Sequence, residues 1–161
     1  MFDQAYAAIP HRRTVWEFDT STVPAGEKAY LKAMFQVLDQ AIAVRVATQR
    51  DFLNGQFEKI DVDAEYELLV KYVHAMTVPP NLAAYHKHIV SALDQEQYFF
   101  RIWKMQGEQF WEKQRTQNYP GVRGASAELK TAYDELMARY PGESAPNKDA
   151  FFDYHCALDF M

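Results

Sequence analysis

Cysteine is nearly absent from this chain of 161 residues. The single thiol, Cys156, excludes an intrachain disulfide, a cysteine-built zinc cluster and haem attachment through Cys-x-x-Cys-His. Glycine and proline are scarce too, at 6 and 7 residues, which argues against an all-β or disordered chain. Charge of one sign is lacking. The formal net charge of −5 is too mild for a DNA mimic, and a nucleic-acid footprint needs Lys and Arg clustered on one face. No stretch approaches the roughly 18 consecutive apolar residues that cross a bilayer. Residues 1–13 hold no apolar run of signal-peptide length. The expectation is a cytoplasmic protein with neither a membrane nor a nucleic-acid partner.

Catalytic signatures are missing as well. A di-iron bundle needs Glu-x-x-His pairs on two helices, and no glutamate here has a histidine three residues later. His-x-x-x-His, Gly-x-Gly-x-x-Gly and the Walker loop do not occur. The segment Gly124-Ala125-Ser126-Ala127-Glu128 matches a nucleophile elbow poorly and has no strand before it. No motif calls for a cofactor or a metal.

What the chain does have is apolar residues at helical spacing. Hydrophobic residues make up 48% of it, with 10 Tyr and 11 Phe, ample for one domain with a bulky core. Apolar stripes predict helices over residues 23–55, 61–77, 80–117, 125–140 and 148–161. The fold expected is all-α: an antiparallel bundle of four main helices plus a short C-terminal one, in a single domain spanning 1–161. Residues 1–22 read as an irregular strap anchored by Trp16 and Phe18. Ser21 or Thr22 is the expected cap of the first helix and Ser126 of the fourth. Asn118 to Gly124 reads as a turn-rich loop. Gly107 is expected to kink or end the third helix.

That third helix carries most of the unusual residues. Leu82, Tyr85, Ile89, Leu93, Phe100, Trp103 and Trp111 share one face, interrupted by His86, Glu96 and Gln97. Tyr98, Phe99, Ile102 and Met105 extend its apolar character nearly all round, which predicts either burial or an interface. His86 and His88 point about 200° apart on a helix and do not grip one ion together. His155 lies on the apolar stripe of the last helix, so His86 and His155 form a candidate ligand pair if those faces meet. In the first helix Arg45 interrupts an apolar stripe, with Gln49 one turn on. If the first and third helices run parallel, Arg45 lies about 27 Å along its helix and Glu96 about 24 Å along its own, at 1.5 Å per residue. A lone buried charge is costly, so the two are expected to pair, as a register lock or as the polar end of a ligand pocket.

The first functional reading is a non-enzymatic bundle acting through protein contact: a regulatory, inhibitor or immunity-type module, or a homo-oligomer. Tyr98, Phe99, Ile102 and Met105 are its candidate surface. The alternative is a bundle holding a small ligand, metal or haem through His86 and His155 or through Arg45 and Glu96, with Gln97 close by.

Overall fold

The computed structural model describes residues 15–107, 109–110 and 120–159, and their five helices follow one another in the expected order. We number them α1 (Ala25–Leu53), α2 (Val62–His74), α3 (Ala83–Gln106), α4 (Pro120–Arg139) and α5 (Ala145–Leu158). A 3-10 turn, Pro80–Leu82, leads into α3, where prolines lacking N–H groups suit a first turn. Among the described residues there is no strand, and no helix is long and apolar enough to cross a membrane. Each helix packs on its sequence neighbour and α5 packs back on α1, closing a ring whose most extensive contact joins α3 to α4. The all-α bundle is therefore as expected.

Helices α1 and α3 run parallel, as short connections through the antiparallel α2 require. At one end Tyr30 of α1 meets Tyr85 and His86 of α3. At the other, Phe52 of α1 packs on Phe100 and Trp103, with ring centroids 5.9 and 5.5 Å apart. Asn54 follows α1 and Gly55 takes the left-handed conformation (φ 71°) that stops a helix without a Cβ penalty. Asp61 caps α2 by accepting the Ala64 N–H.

Three helix bounds and one cap differ from the sequence reading. Helix α3 stops at Gln106 and not near residue 117, because Gly107 turns to φ 66° and ends it, one of the two outcomes expected there. Residues 111–119, which include Trp111, lie outside the described residues, as do 1–14, 108 and 160–161. Helix α4 starts at Pro120, so the second half of the expected loop is helical; proline again occupies a first turn. Ser126 is inside α4 and caps nothing; its hydroxyl donates to Asp159 Oδ2 at 2.6 Å. Helix α5 starts at Ala145, with Ser144 accepting the Asn147 N–H. Within α4, Gly124 faces the amide end of the Gln95 side chain from α3, which would have to move aside for a Cβ at this position.

The strap is real over its described part. Trp16 is buried, its ring edge-on to Phe35 at 5.3 Å and to Phe151 at 5.5 Å, and Phe18 packs beside it. The buried Asn147 pairs with the strap as a neighbouring strand would: Oδ1 accepts the Glu17 N–H (2.8 Å) and Nδ2 donates to the Glu17 carbonyl (3.3 Å). Ser21 and Thr22 do not cap α1, whose N-cap is Pro24 with no side-chain bond. Both turn instead to Glu143, in the link between α4 and α5. Its carboxylate accepts from the Ser21 hydroxyl, the Thr22 and Ser144 N–H groups and Asn147 Nδ2.

Burial pushes the Glu143 carboxyl up, but these donors outweigh it and hold the group below its ordinary 4.5. The sign follows: its stabilisation is present above about pH 4.5 and is lost as pH falls through the depressed native value. Glu143→Ala is therefore expected to cost about 2–3 kcal/mol at pH 7 in urea unfolding followed by tryptophan fluorescence. It should lose less further stability than wild type on acidification. An unchanged midpoint at pH 7 would remove Glu143 as the strap's anchor.

Candidate functional site

Of the residues that interrupt the apolar stripes, Arg45, Glu96 and His155 are buried in the core, though not in the pairs expected. Glu96 has no exposed surface. Its Oε2 accepts the hydroxyl of Tyr66 from α2 at 2.9 Å, and its Oε1 makes no hydrogen bond among the described residues. Arg45 does not hydrogen-bond to Glu96, which corrects the expected direct pair. Its Nη1 donates to Gln49 Oε1 and its Nη2 to the carbonyl of Ala157 in α5, both at 2.9 Å. The physical reason lies at the end of α5, where the last carbonyls have no intrahelical donor and a guanidinium satisfies one of them.

Arg45 still acts on Glu96 through space. Burial raises the Glu96 carboxyl to about 8, and the Arg45 charge and the Tyr66 hydroxyl limit that rise. Asp159, just past α5, raises it further. At neutral pH the carboxyl is therefore mostly protonated. Gln97 stands outside this cluster: it is half-buried and its Nε2 donates to Asp63 Oδ1 at 3.3 Å, linking α3 to α2.

His86 and His155 do not meet. His155 is buried with both ring nitrogens engaged: Nδ1 lies 2.6 Å from the carbonyl of Phe151 and Nε2 lies 3.2 Å from the Tyr85 hydroxyl. A carbonyl only accepts, so Nδ1 carries the proton and Nε2 takes the Tyr85 O–H. Burial lowers the His155 imidazole to about 4, only partly offset by the Phe151 bond, and the ring is neutral in the fold. His86 is half-buried and shares a hydrogen bond with the Tyr30 hydroxyl at 3.0 Å. The rings of Tyr30 and Tyr85 stand between the two histidines, edge-on with centroids 6.5 Å apart. A metal held by both histidines would have to break a buried hydrogen bond at His155 and displace two tyrosines. Among the described residues no group of three or more His, Cys, Asp or Glu side chains is placed to hold a metal ion.

His88 points away from His86, as its position on the helix requires, and its Nδ1 bonds Glu128 of α4 at 2.5 Å. Ser91 donates to the other oxygen of Glu128, and Gln95 donates to Ser91. The α3/α4 contact thus has a polar seam alongside its apolar one. The sequence contained its signal: His88, Ser91 and Gln95 at helical spacing.

Two surface features complete the picture. A groove of about 310 Å³ between α4 and α5 is lined by Leu129, Tyr133 and Phe152, with His155, Cys156 and Asp159 on its α5 side. Burial raises the Cys156 thiol above its ordinary value, and Asp159 and Asp153 add to the rise, so no activated thiolate is built here. On α3, Tyr98 and Met105 are exposed and Ile102 is half-buried against the core. Phe99, expected on the same surface, has no exposure, and its ring meets Phe100, Trp103 and Phe110. Phe99 is therefore core.

A scan against protein-family models, a search of curated proteins and a search of solved structures each find no match to this chain.

Glu96 and His155 make opposite demands on stability. Glu96 is raised from 4.5 to about 8, so its contribution is present below pH 4.5 and is lost as pH rises to 8. His155 is lowered from 6.5 to about 4, so stability falls as pH drops below 6.5. Between 4.5 and 6.5 the two slopes, each up to about 1.4 kcal/mol per pH unit, largely cancel. Urea unfolding should therefore show a nearly flat stability from pH 4.5 to 6.5 and a decline from 6.5 to 8. Glu96→Gln should abolish the decline and expose the acid-side slope of His155. A mutant profile parallel to wild type would refute the neutral, buried carboxyl.

Proposed function

We propose that this chain is a non-enzymatic, cytoplasmic binding module that acts through the outer face of α3. One observation carries the reading. Tyr98 is 53% and Met105 69% exposed, two helical turns apart, with Ile102 between them at the edge of the core. Large side chains so placed, on a helix whose inner face is already covered, form an apolar patch that water does not favour. Ion pairs rim it on one side: Arg101 with Asp63 at 2.6 Å and Lys104 with Glu58 at 2.9 Å. An apolar centre beside a charged rim is the common layout of a protein interface. The groups suited to chemistry are meanwhile engaged inside: His155 by two bonds, Glu96 by Tyr66, His86 by Tyr30.

Tyr98→Ser with Met105→Ser tests this. Both side chains are exposed, so the double variant should keep its stability to within about 0.5 kcal/mol per site. It should weaken capture of a partner, or self-association measured by light scattering, by about 2 kcal/mol or more, roughly thirtyfold. Equal association by both proteins would sink the α3 face as the interface.

The ligand reading has its own support at a different place. The α4/α5 groove has apolar walls and a half-exposed Phe152, and its 310 Å³ sits at the small end of the range for ligand pockets. It does not involve His86, and it presents His155 as a wall and not as a ligand.

A further inference from the structure

The end of α5 is held from outside the helix, and the holder is also a cation whose charge acts on a buried acid. The N–H of Asp159 reaches the carbonyls of His155 and Cys156, while Arg45 Nη2 takes the carbonyl of Ala157 at 2.9 Å. A second tether, Ser126 to Asp159 Oδ2, joins the same turn to α4. Three residues of this turn, His155, Cys156 and Asp159, line the α4/α5 groove. Glu96, fully buried, faces Arg45 from α1, Tyr66 from α2 and Asp159 from the turn after α5. Tyr66 serves one carboxyl oxygen; the other has no hydrogen-bond partner among the described residues.

A neutral carboxyl is tolerable there. An ionised one is not, because a buried carboxylate oxygen without a donor loses its hydration and gains nothing in return. Tyr66 already donates, and Asp159 repels. The Arg45 charge is the one that acts favourably on this carboxyl, and turning the guanidinium toward the open oxygen would draw its Nη2 off Ala157.

We propose that Glu96, Arg45 and the carbonyl of Ala157 form a proton-controlled latch: the neutral carboxyl leaves Arg45 on the end of α5, and the ionised carboxylate takes it. Losing Arg45 leaves an unsatisfied carbonyl in the last turn of α5, which frays and widens the α4/α5 groove. The proton goes to solvent and no bond other than this hydrogen bond is exchanged. The latch does not depend on the α3 face being an interface.

Nuclear magnetic resonance on the full chain tests it, in a Cys156→Ser background so that the thiol does not titrate in the same alkaline range. The Glu96 side-chain carbon signal is expected to titrate near pH 8. The backbone amides of Leu158 and Asp159 should shift with the same midpoint, and exchange with solvent faster than base catalysis alone gives. Glu96→Gln should leave those amides without a transition. Tyr66→Phe, which removes the donor from Oε2, should move the carboxyl and the α5 amides to higher pH together. A titrating carboxyl beside unmoving α5 amides would overturn the latch. So would α5 amides that titrate equally in Glu96→Gln, separate midpoints in Tyr66→Phe, or a Glu96 signal flat from pH 6 to 9.5.

Discussion

Glu96 imposes the central constraint on this bundle: a carboxyl with no exposed surface must be accommodated where α1, α2 and α3 meet. Desolvation of an ionised carboxylate is too costly to meet with one hydroxyl, so the group is held mainly protonated. That choice propagates. Because the neutral acid does not compel Arg45 to pair with it, the guanidinium is released to finish the open end of α5. Because Tyr66 supplies the donor, α2 is fixed in rotation against α3, with the rest of its stripe, Val62, Leu69 and Val73, turned inward. A register-setting role is the best-attested use of buried polar groups, and here four helices are set around one acid.

The second half of the core follows the same logic with rings in place of charges. Tyr30 and Tyr85 stand edge-on between two imidazoles, each hydroxyl hydrogen-bonded to a different histidine. Apolar ring area fills the α1/α3 contact while the polar tips find partners, which is how tyrosine is tolerated in a dry interior. His155 reaches Tyr85 from α5 and donates backward to its own helix, so its neutral tautomer is fixed by acceptors on one side and a donor on the other. An imidazole so enclosed is a packing element. The chemistry that a histidine promises needs a free lone pair, and at His155 both ring nitrogens are already engaged.

Much of this is legible in the sequence, and what is not has identifiable causes. Helix order, the parallel α1 and α3, the left-handed stop at Gly55 and the Trp16 anchor all follow from apolar spacing and turn chemistry. Arg45 and Glu96 stand out because a charge in an apolar stripe is improbable without a reason. Their partners do not stand out. Tyr66 looks like any stripe residue, and a carbonyl at Ala157 has no letter in the sequence. The starts of α4 and α5 are misread because Tyr-Pro-Gly and Ser-Ala-Pro resemble turns, while proline also suits a helix's first turn. Phe99 is misassigned because the buried arc of α3 is set by two neighbours, α2 on one side and α4 on the other, and its width is not written in α3 alone.

Helix α5 shows what this arrangement does to the whole. It is short, and its fixing points come from elsewhere: Arg45 of α1 on the Ala157 carbonyl, Tyr85 of α3 on His155, Ser126 of α4 on Asp159, and the strap on Asn147. A helix held by hydrogen bonds from four directions has a well-defined position but little independent stability, since helices of this length are marginal alone. Each of those bonds runs to a group that is buried or next to one. The polar core and α5 are thus joined through hydrogen bonds, and α5 in turn lines the groove it shares with α4.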